Sequence, residues 1–391
     1  MKPREVIPNL YWVGAVDWER RLFDSLVPTP EGTSYNSYLL RARDATVLFD
    51  TVDPTKTQTL LDNLASVDHI DYVVIHHVEQ DHSGSLPAIL DRFPTARVLC
   101  GPRAVDLITT HLHVDPATLH VMADGEELSL GDKTLRFVHT PWVHWPETIS
   151  TFLVEDKVLL SGDFFGSHLA TTDVFAQIDE VLPLAKRYYA ELMMPVRTVV
   201  ARNLGKVEQL DPAIIAPTHG PAYDQPSLII NAYREWVEGA PHNLVLIPYV
   251  TMHASTQKLV ERLTGSLINH GVKVELIDAV GADMGHLATS LVDAATIVVG
   301  TPTVLTGPHP TIVPIVFLAN ALRPKVQNLS VVGSYGWATN MVDVIKSLTS
   351  GLKAELIDPV VVKGSPQDED LARIDALAAT IAAKHAAAGL I

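Results

Sequence analysis

Four side chains of the kinds that bind metal ions lie close together in the first quarter of the chain. The short apolar run Tyr72–Ile75 is followed by the sequence His-His-Val-Glu-Gln-Asp-His, which holds His77, Glu79, Asp81 and His82 within six residues. Side chains alternate along an extended segment, so we expect His77, Glu79 and Asp81 to converge past the end of a strand. A polar loop before a helix is the alternative, but this density of donors favours a metal site.

Three further donors follow the ends of later apolar runs, and they are His144, Asp163 and His219. Each of them alone would more often be an ordinary core or loop residue than a ligand. Together with the first cluster they make a set of four histidines, one glutamate and two aspartates. Two metal ions that share a bridging carboxylate would use such a set, so the sequence predicts a two-metal site.

Three segments in the second half of the chain follow apolar runs and have the composition of ligand-binding loops. The first carries hydroxyl side chains before a predicted helix, where hydroxyls and free backbone N–H groups hold a phosphate without Lys or Arg. An ordinary helix N-cap is the alternative for that segment. Open parallel sheets bind ligands outside the carboxyl ends of their strands. The candidate binding residues are Thr251, Met252, His253, Ala254, Ser255, Thr256, Thr301, Pro302, Thr303, Val304, Leu305, Ser334, Tyr335, Gly336 and Trp337.

The elements that must position these residues divide the chain near residue 242. Before it, short apolar runs alternate with turns and helical patterns, which predicts a two-sheet sandwich with outer helices. A long helical stretch is expected from about Leu182 to Leu204. After it, strands and helices alternate strictly, which predicts a doubly wound open sheet. We therefore expect domains over residues 1–242 and 243–391. The strands predicted after residue 242 are Leu244–Pro248, Lys273–Asp278, Ala295–Gly300, Leu329–Gly333 and Ala354–Asp358.

Composition and charge exclude several classes of function. Hydrophobic residues make up 47% of the 391 residues, and the formal net charge of −16 makes nucleic acid an unfavourable partner. Cys100 is the single cysteine, so the chain can form neither an internal disulfide nor a four-cysteine iron centre. We expect a cytoplasmic protein without membrane partners, because the chain shows no signal peptide and no run of 18 apolar residues.

The spacing of the donors resembles that of the metallo-β-lactamase fold, whose hydrolases carry His-x-His-x-Asp-His at this place. Here Glu79 replaces the second histidine, and a hard anionic ligand suits a redox-active iron pair better than hydrolytic zinc. The form His-x-Glu-x-Asp-His, followed by the later His, Asp and His, resembles the flavodiiron protein family, also called A-type flavoproteins. The resemblance covers essentially the whole chain, including the segments Gly14–Trp18 and Gly333–Trp337.

The resemblance implies a metallo-β-lactamase-like αββα sandwich followed by a flavodoxin-like doubly wound parallel sheet. It implies two iron ions, with Asp163 as the bridging ligand. The ligands of one iron would be His77, Glu79 and His144, and those of the other Asp81, His82 and His219. It also implies that the three segments of the second half bind FMN, with Trp337 against the flavin.

The activity that the resemblance implies is reduction of O2 to water and/or of NO to N2O. It further implies a homodimer or a dimer of dimers, in which the flavin of one subunit lies near the diiron site of its partner. We expect an external electron donor, such as rubredoxin, a reductase or a reduced deazaflavin. Two alternatives remain open: a zinc hydrolase of the metallo-β-lactamase type fused to a flavodoxin-like domain, and an electron carrier whose metal half is structural.

Three positions depart from the family pattern. Asp24 stands where some members carry a histidine near the metal pocket, and His253 stands where tryptophan is common in the phosphate loop. The segment Thr306-Gly307-Pro308 replaces an asparagine-rich turn. These differences bear on substrate preference and on the flavin potential.

Overall fold

The computed structural model describes residues 2–391, which form two compact units that divide between Val237 and Glu238. The sequence predicts the change of architecture a few residues later, and the domain limits 1–242 and 243–391 stay a prediction. No helix among residues 2–391 is both long and apolar enough to cross a membrane.

The first unit contains two sheets, two short ribbons and seven α-helices among its described residues. Its strands are β1 (Arg4–Ile7), β2 (Leu10–Trp12), β3 (Ala15–Asp17), β4 (Leu22–Phe23), β5 (Val27–Pro28), β6 (Thr33–Tyr35), β7 (Tyr38–Arg41), β8 (Thr46–Phe49), β9 (Tyr72–Ile75), β10 (Arg97–Cys100), β11 (Leu119–Val121), β12 (Glu127–Ser129), β13 (Thr134–His139), β14 (Ile149–Leu153), β15 (Val158–Gly162) and β16 (Ile214–Pro217). Its helices are α1 (Thr57–Asn63), α2 (Gln80–Ser83), α3 (Leu86–Arg92), α4 (Ala104–His111), α5 (Ile178–Tyr188), α6 (Arg197–Leu210) and α7 (Pro226–Glu238).

The two sheets form a sandwich because alternate side chains of the first sheet enter different cores. The first sheet has the order β1-β2-β7-β8-β9-β10-β11, and the second has the order β12-β13-β14-β15-β16. On β9, Val74 joins a core that it shares with residues of the second sheet such as Phe137. Its neighbours Val73 and Ile75 point to the other face and join a core with α1, α3 and α4. The predicted sandwich is therefore confirmed.

The long helical stretch predicted from Leu182 to Leu204 is helical throughout, but the type of helix changes within it. After α5 the chain forms a π-helix over Tyr189–Met193 and a 3₁₀ turn over Met194–Val196 before α6 begins. Proline lacks a backbone N–H and clashes with the preceding turn, so Pro195 accounts for the break. The predicted helical stretch is therefore present, and it is divided among α5, the π-helix, the 3₁₀ turn and α6.

The second unit is an open sheet with helices on both faces. Its strands are β17 (His242–Tyr249), β18 (Lys273–Asp278), β19 (Ala294–Val304), β20 (Gly307–Pro308), β21 (Asn328–Tyr335), β22 (Glu355–Leu356) and β23 (Val360–Lys363). Its helices are α8 (Ser255–Asn269), α9 (Met284–Asp293), α10 (Ile312–Leu322), α11 (Met341–Leu348) and α12 (Asp368–Ala387). The order is β18-β17-β19-β21, with β22 and β23 both parallel to β21. One face of the sheet packs against α8 and α12.

Two of the predicted strands differ from the observed ones. The fifth predicted strand, Ala354–Asp358, is shortened to β22, and a further strand that was not predicted, β23, follows Pro359. The third continues to Val304, because its last residues pair with β20 across a tight turn at Leu305 and Thr306. Residues 301–304, predicted as a loop, therefore belong to a strand.

Candidate metal centre and cofactor pocket

The seven predicted donors meet where strands of both sheets end. They come from the segment after β9, from the loop between β13 and β14, and from the ends of β15 and β16. The segment after β9 does not stay extended as the alternation argument requires, because Gln80–Ser83 forms α2. The turn into α2 separates Glu79 from Asp81, and the two side chains enter different groups.

The first group consists of His77, Glu79, His144 and Asp163, whose ligand atoms all lie within 4.8 Å of one another. The carboxylate oxygen Oε2 of Glu79 lies 3.0 Å from His144 Nε2 and 3.5 Å from His77 Nε2. Asp163 Oδ2 lies 3.2 Å from His144 Nε2 and 3.3 Å from His77 Nε2. Two ring nitrogens and two carboxylate oxygens thus surround one point.

The second group consists of Asp81, His82 and His219. Asp81 Oδ2 lies 2.9 Å from His82 Nε2 and 3.0 Å from His219 Nε2. The other oxygen of Asp163, Oδ1, lies 3.1 Å from His82 Nε2. Because Oδ2 of the same carboxylate faces the first group, Asp163 stands between the two groups and offers one oxygen to each.

The three carboxylates of the centre favour positive charge on the groups beside them. Burial alone would raise the pKa of Glu79, but the hydrogen bond from His144 and the nearby imidazole of His77 outweigh burial and hold that pKa at about 2. Burial would lower the pKa of His82 and of His144. Asp81 and Asp163 instead raise the pKa of His82 to about 10, and Asp163 and Glu79 raise that of His144 to about 9. Metal cations meet the same demand when they replace ring protons.

Several ligand atoms of the centre have no other role in the protein. Both ring nitrogens of His77 and both carboxylate oxygens of Asp81 are buried without a partner of hydrogen-bond geometry among residues 2–391. Buried polar atoms are otherwise almost always hydrogen-bonded. The unpaired atoms, the mixed set of imidazole and carboxylate donors and the charge balance all fit a pair of transition-metal ions.

Residues outside the donor set hold the segment after β9 in place. Asp50 accepts hydrogen bonds from the backbone N–H of His76 at 2.9 Å and from its ring Nδ1 at 2.5 Å. Glu147, from the loop that carries His144, accepts a hydrogen bond from the backbone N–H of Val78 at 3.0 Å. The second contact joins two of the segments that supply donors to the first group.

Two buried residues beside the centre are not among the candidates from the sequence. The ring centroid of His168 lies 4.8 Å from that of His219, and Tyr188 lies 5.8 Å from the same ring. Burial and the carboxylate of Asp163 raise the pKa of Tyr188 well above its ordinary value, so its hydroxyl stays neutral. Asp24 also lies here, and burial together with Glu79 raises its pKa to about 6.

The second unit carries a cavity of about 370 Å³ at the carboxyl ends of its central strands. Thirteen residues line it, and eleven of them are among the candidates from the sequence; the two additions are Gly364 and Ser365, after β23. Four candidates, Ala254, Thr301, Val304 and Leu305, do not line it. Thr301 is turned inward, where its hydroxyl donates to the carbonyl of Pro302.

One side chain of the cavity fits a phosphate-bearing ligand. The hydroxyl of Thr251 is buried and has no hydrogen-bond partner in the described part of the chain. The segment continues through Ala254, which has a φ of 62°, into the amino end of α8. Free backbone N–H groups at a helix start, together with hydroxyls, bind phosphate groups. The exposed aromatic ring of Trp337 and the ring of Tyr335 supply apolar surface on another wall.

The fold and the site define a class of protein: a metallo-β-lactamase-like unit with two adjoining groups of metal-ligand type, followed by a flavodoxin-like unit with a cavity of about 370 Å³. A family model described as ODP family beta lactamase matches residues 33–220. A nitric oxide reductase of Moorella thermoacetica is 35% identical over 98% of this chain and 99% of its own length. A rubredoxin-oxygen oxidoreductase of Megalodesulfovibrio gigas is 31% identical over 98% of both chains.

Solved structures agree with these relatives. Rubredoxin oxygen:oxidoreductase from Desulfovibrio gigas superposes with a TM-score of 0.94 at 30% identity, and the match covers 98% of this chain and 99% of that one. The flavodiiron protein from Giardia intestinalis gives a TM-score of 0.91 at 25% identity over 99% of this chain and 97% of that one. The chain therefore belongs to the flavodiiron protein family, and the predicted family and fold class are confirmed.

Proposed function

We propose that this protein is an oxidoreductase that reduces O2 to water and/or NO to N2O at a diiron site supplied with electrons by FMN. The observation that carries the proposal is the position of Asp163, whose two oxygens face two separate groups of buried histidine and carboxylate donors. This arrangement would hold two metal ions close together, and the names of the relatives include both a nitric oxide reductase and an oxygen oxidoreductase.

In this proposal the first group holds one iron and the second group holds the other, with Asp163 shared between them. When bound, two irons and one FMN supply four electrons, enough to convert O2 to two waters, and two electrons convert two NO to N2O and one water. Seven donors leave coordination positions open on two metals, which a small diatomic substrate requires. The protein supplies the binding, the orientation and the electrostatic surroundings.

Exposure indicates the side from which a substrate enters. The side chains of Glu79 and His144 are each 15% exposed, whereas those of His77 and His82 are fully buried and that of Asp163 is 2% exposed. We therefore place the entrance at the first group. The buried second group is shielded from water, so its donors stay fixed while a substrate enters and leaves on the other side.

FMN fits the cavity of the second unit. The hydroxyls of Thr251, Ser255 and Thr256 would hold its phosphate, and Trp337 would lie against its ring system. No Lys or Arg belongs to the described lining of the cavity, so neutral donors and the amino end of α8 must bind the phosphate. Gly364 and Ser365 would complete the wall next to Tyr335.

The electron donor of this proposal is a separate protein or a reduced deazaflavin. The single cysteine cannot form the four-cysteine iron centre of a rubredoxin, and one relative is named for its use of rubredoxin.

We also propose a homodimer or a dimer of dimers. The side chains of Met252, Leu305 and Trp337 are 52%, 93% and 88% exposed, and such large apolar surface beside a cofactor pocket calls for a partner.

The zinc hydrolase is not favoured. Glu79 takes the place of a neutral imidazole in the first group, and the relatives that match the whole chain are named as reductases. A purely electron-carrying protein would not need open positions on a buried metal pair.

The test is analysis of the purified, anaerobically reconstituted protein. We expect two irons and one FMN per chain, and consumption of O2 or NO when an artificial reductant supplies electrons. Zinc as the dominant metal without flavin would overturn the proposal, and so would a reduced, fully loaded protein that consumes neither gas. Measuring both turnovers with the same reductant gives the ratio of O2 to NO activity.

A further inference from the structure

The turn that carries His219 is held by a segment outside the proposed ligand set. His219 lies in a turn between β16 and Pro221, where Gly220 has a φ of +76°. A Cβ at Gly220 would meet Ser167 Oγ at 2.1 Å, so the turn is fitted closely into its surroundings. Backbone groups of this turn form hydrogen bonds with Ser34 in β6 and with Asn36, the residue that follows β6.

Asn36 forms hydrogen bonds to this turn on both sides of His219. Its amide Nδ2 donates to the carbonyl of Pro217 at 2.8 Å and to the carbonyl of Gly220 at 2.6 Å. Its backbone N–H donates to the carbonyl of Thr218 at 2.7 Å. Its Oδ1 accepts from the indole N–H of Trp12 at 2.8 Å, which fixes the orientation of the amide. The side chain is 2% exposed, and each of its polar atoms has a partner.

The neighbouring residue Ser34 sets the orientation of the imidazole. Its carbonyl accepts a hydrogen bond from His219 Nδ1 at 2.7 Å, and its hydroxyl oxygen accepts one from the backbone N–H of Gly220 at 2.8 Å. With the proton on Nδ1, the lone pair of Nε2 points to Asp81 Oδ2, 3.0 Å away. Outer hydrogen bonds of this kind fix the tautomer and direction of metal-binding histidines.

We propose that Asn36 is a positioning residue for the second metal ion, acting through the backbone on either side of His219. The inference rests on the proposed function, since it assumes that Asp81, His82 and His219 hold a metal. Without the amide, the carbonyls of Pro217 and Gly220 lose a buried donor, and the turn is free to rotate His219 away from Asp81. Loss of such an outer partner lowers metal affinity about 10- to 100-fold.

The chain offers a matched control in Asn63. Its Nδ2 also donates to two backbone carbonyls, those of Val13 and Gly14, both at 2.9 Å, and the side chain is 4% exposed. It lies in the same unit but makes no hydrogen bond to the turn of His219. Asn36→Ser and Asn63→Ser therefore remove the same kind of bonds, and both lower the midpoint of thermal unfolding.

The experiment is an anaerobic titration of the metal-free chains with Co²⁺, whose visible absorption reports the coordination of each site. We expect two ions per wild-type chain. In Asn36→Ser the second ion should bind about 10- to 100-fold more weakly with an altered spectrum, while Asn63→Ser should match the wild type. His219→Ala serves as the reference spectrum for loss of the second site.

The results of this titration distinguish failure of the proposed function from failure of this inference. A wild-type chain that binds fewer than two ions would overturn the proposed function and this inference with it. Two ions in the wild type and equally tight binding in Asn36→Ser would overturn the inference alone, as would an equal loss in Asn63→Ser. If Asn36→Ser does not fold, Trp12→Phe removes the indole N–H that fixes the orientation of the Asn36 amide. It should weaken the second ion in the same direction, and unchanged binding would again overturn the inference.

Discussion

Substitution of Asp163 by asparagine is the most direct test of the shared carboxylate. Oδ2 of Asp163 lies 3.3 Å from His77 Nε2, whereas Oδ1 lies 3.1 Å from His82 Nε2. Asparagine has the same shape but only one oxygen, so it can serve one group at most. Its NH2 group would face the histidines of the other group as a donor and cannot bind a metal ion.

The structure sets the size of the effect. Asp163 Oδ2 lies 3.2 Å from His144 Nε2, and two unit charges at that separation interact with about 5 kcal/mol at an effective dielectric constant near 20, so the positive charge of the centre would lose a major electrostatic contribution. Loss of an outer partner already costs about 10- to 100-fold, so loss of a direct ligand should lower the reductase activity at least about 100-fold. We expect at most one iron per chain in the variant.

The same substitution should hardly affect folding. Loss of the Asp163 charge favours release of one histidine proton, while Glu79 and Asp81 still face the histidines that stay protonated, so no unpaired charge remains buried. The hydroxyl of Thr218, which donates to Asp163 Oδ1 at 2.5 Å, keeps a neutral acceptor. Replacing a charged acceptor by a neutral one lowers the free energy of unfolding by about 1 kcal/mol, which lowers the midpoint of thermal unfolding by about 2–4 °C.

The assay measures iron, FMN and turnover on one preparation of Asp163→Asn. FMN should stay at one per chain, because the metal donors and the cavity proposed for FMN lie in separate units. Asp71→Asn is the control for charge: Asp71 accepts from the backbone N–H of Thr46 at 2.8 Å, at the other end of β9 from His77. Two tightly bound irons or undiminished turnover in Asp163→Asn would refute the shared carboxylate, and loss of flavin would refute the independence of the units.

Three further outcomes follow from the second unit and from the composition of the chain. Thr251→Val removes a buried hydroxyl that has no partner in the described protein and should weaken FMN binding about 10- to 100-fold. The iron content should stay unchanged and serves as the control. An FMN titration identical to that of the wild type would contradict this prediction. Burial lowers the pKa of His385, whose ring bonds to the uncharged Thr296 and Asn243, so stability should fall as pH drops below about 6.5, by at most about 1.4 kcal/mol per pH unit. Denaturant titrations at pH 7 and pH 5 should show a smaller loss for His385→Asn, and an identical loss in both chains would contradict this assignment. NADH mixed with the loaded protein and O2 should stay unoxidised until a carrier is added, and rapid oxidation would reveal a nicotinamide site.

Much of the fold follows from local patterns in the sequence. The strands at Tyr72–Ile75 and Lys273–Asp278 have the predicted bounds. Each has a clear hydrophobic pattern and a turn or a change of period at its ends. The donors could be found in the same way, because four of them are close in sequence and follow a strand.

What the sequence did not reveal depends on contacts between distant segments. β19 continues through Pro302, a residue that argues against a strand, because β20 folds back and pairs with its last residues. Gly364 and Ser365 line the cavity of the second unit only because β23 lies beside β21. Tyr188 reaches the metal centre from a helix whose residues carry no motif, so only tertiary packing brings it there.

The charge of the donor set connects the sequence to the choice of metal. The seven donors include three carboxylates, Glu79, Asp81 and Asp163, so two divalent ions leave a net charge of 4 − 3 = +1 on the buried centre. With a histidine in place of Glu79, the same ions would leave 4 − 2 = +2. Buried charge is costly unless it is compensated, so the glutamate favours metals that gain positive charge on oxidation and offers no such advantage to zinc. One substitution within a shared pattern thus shifts the site from hydrolytic towards redox chemistry, while the fold that presents it stays the same.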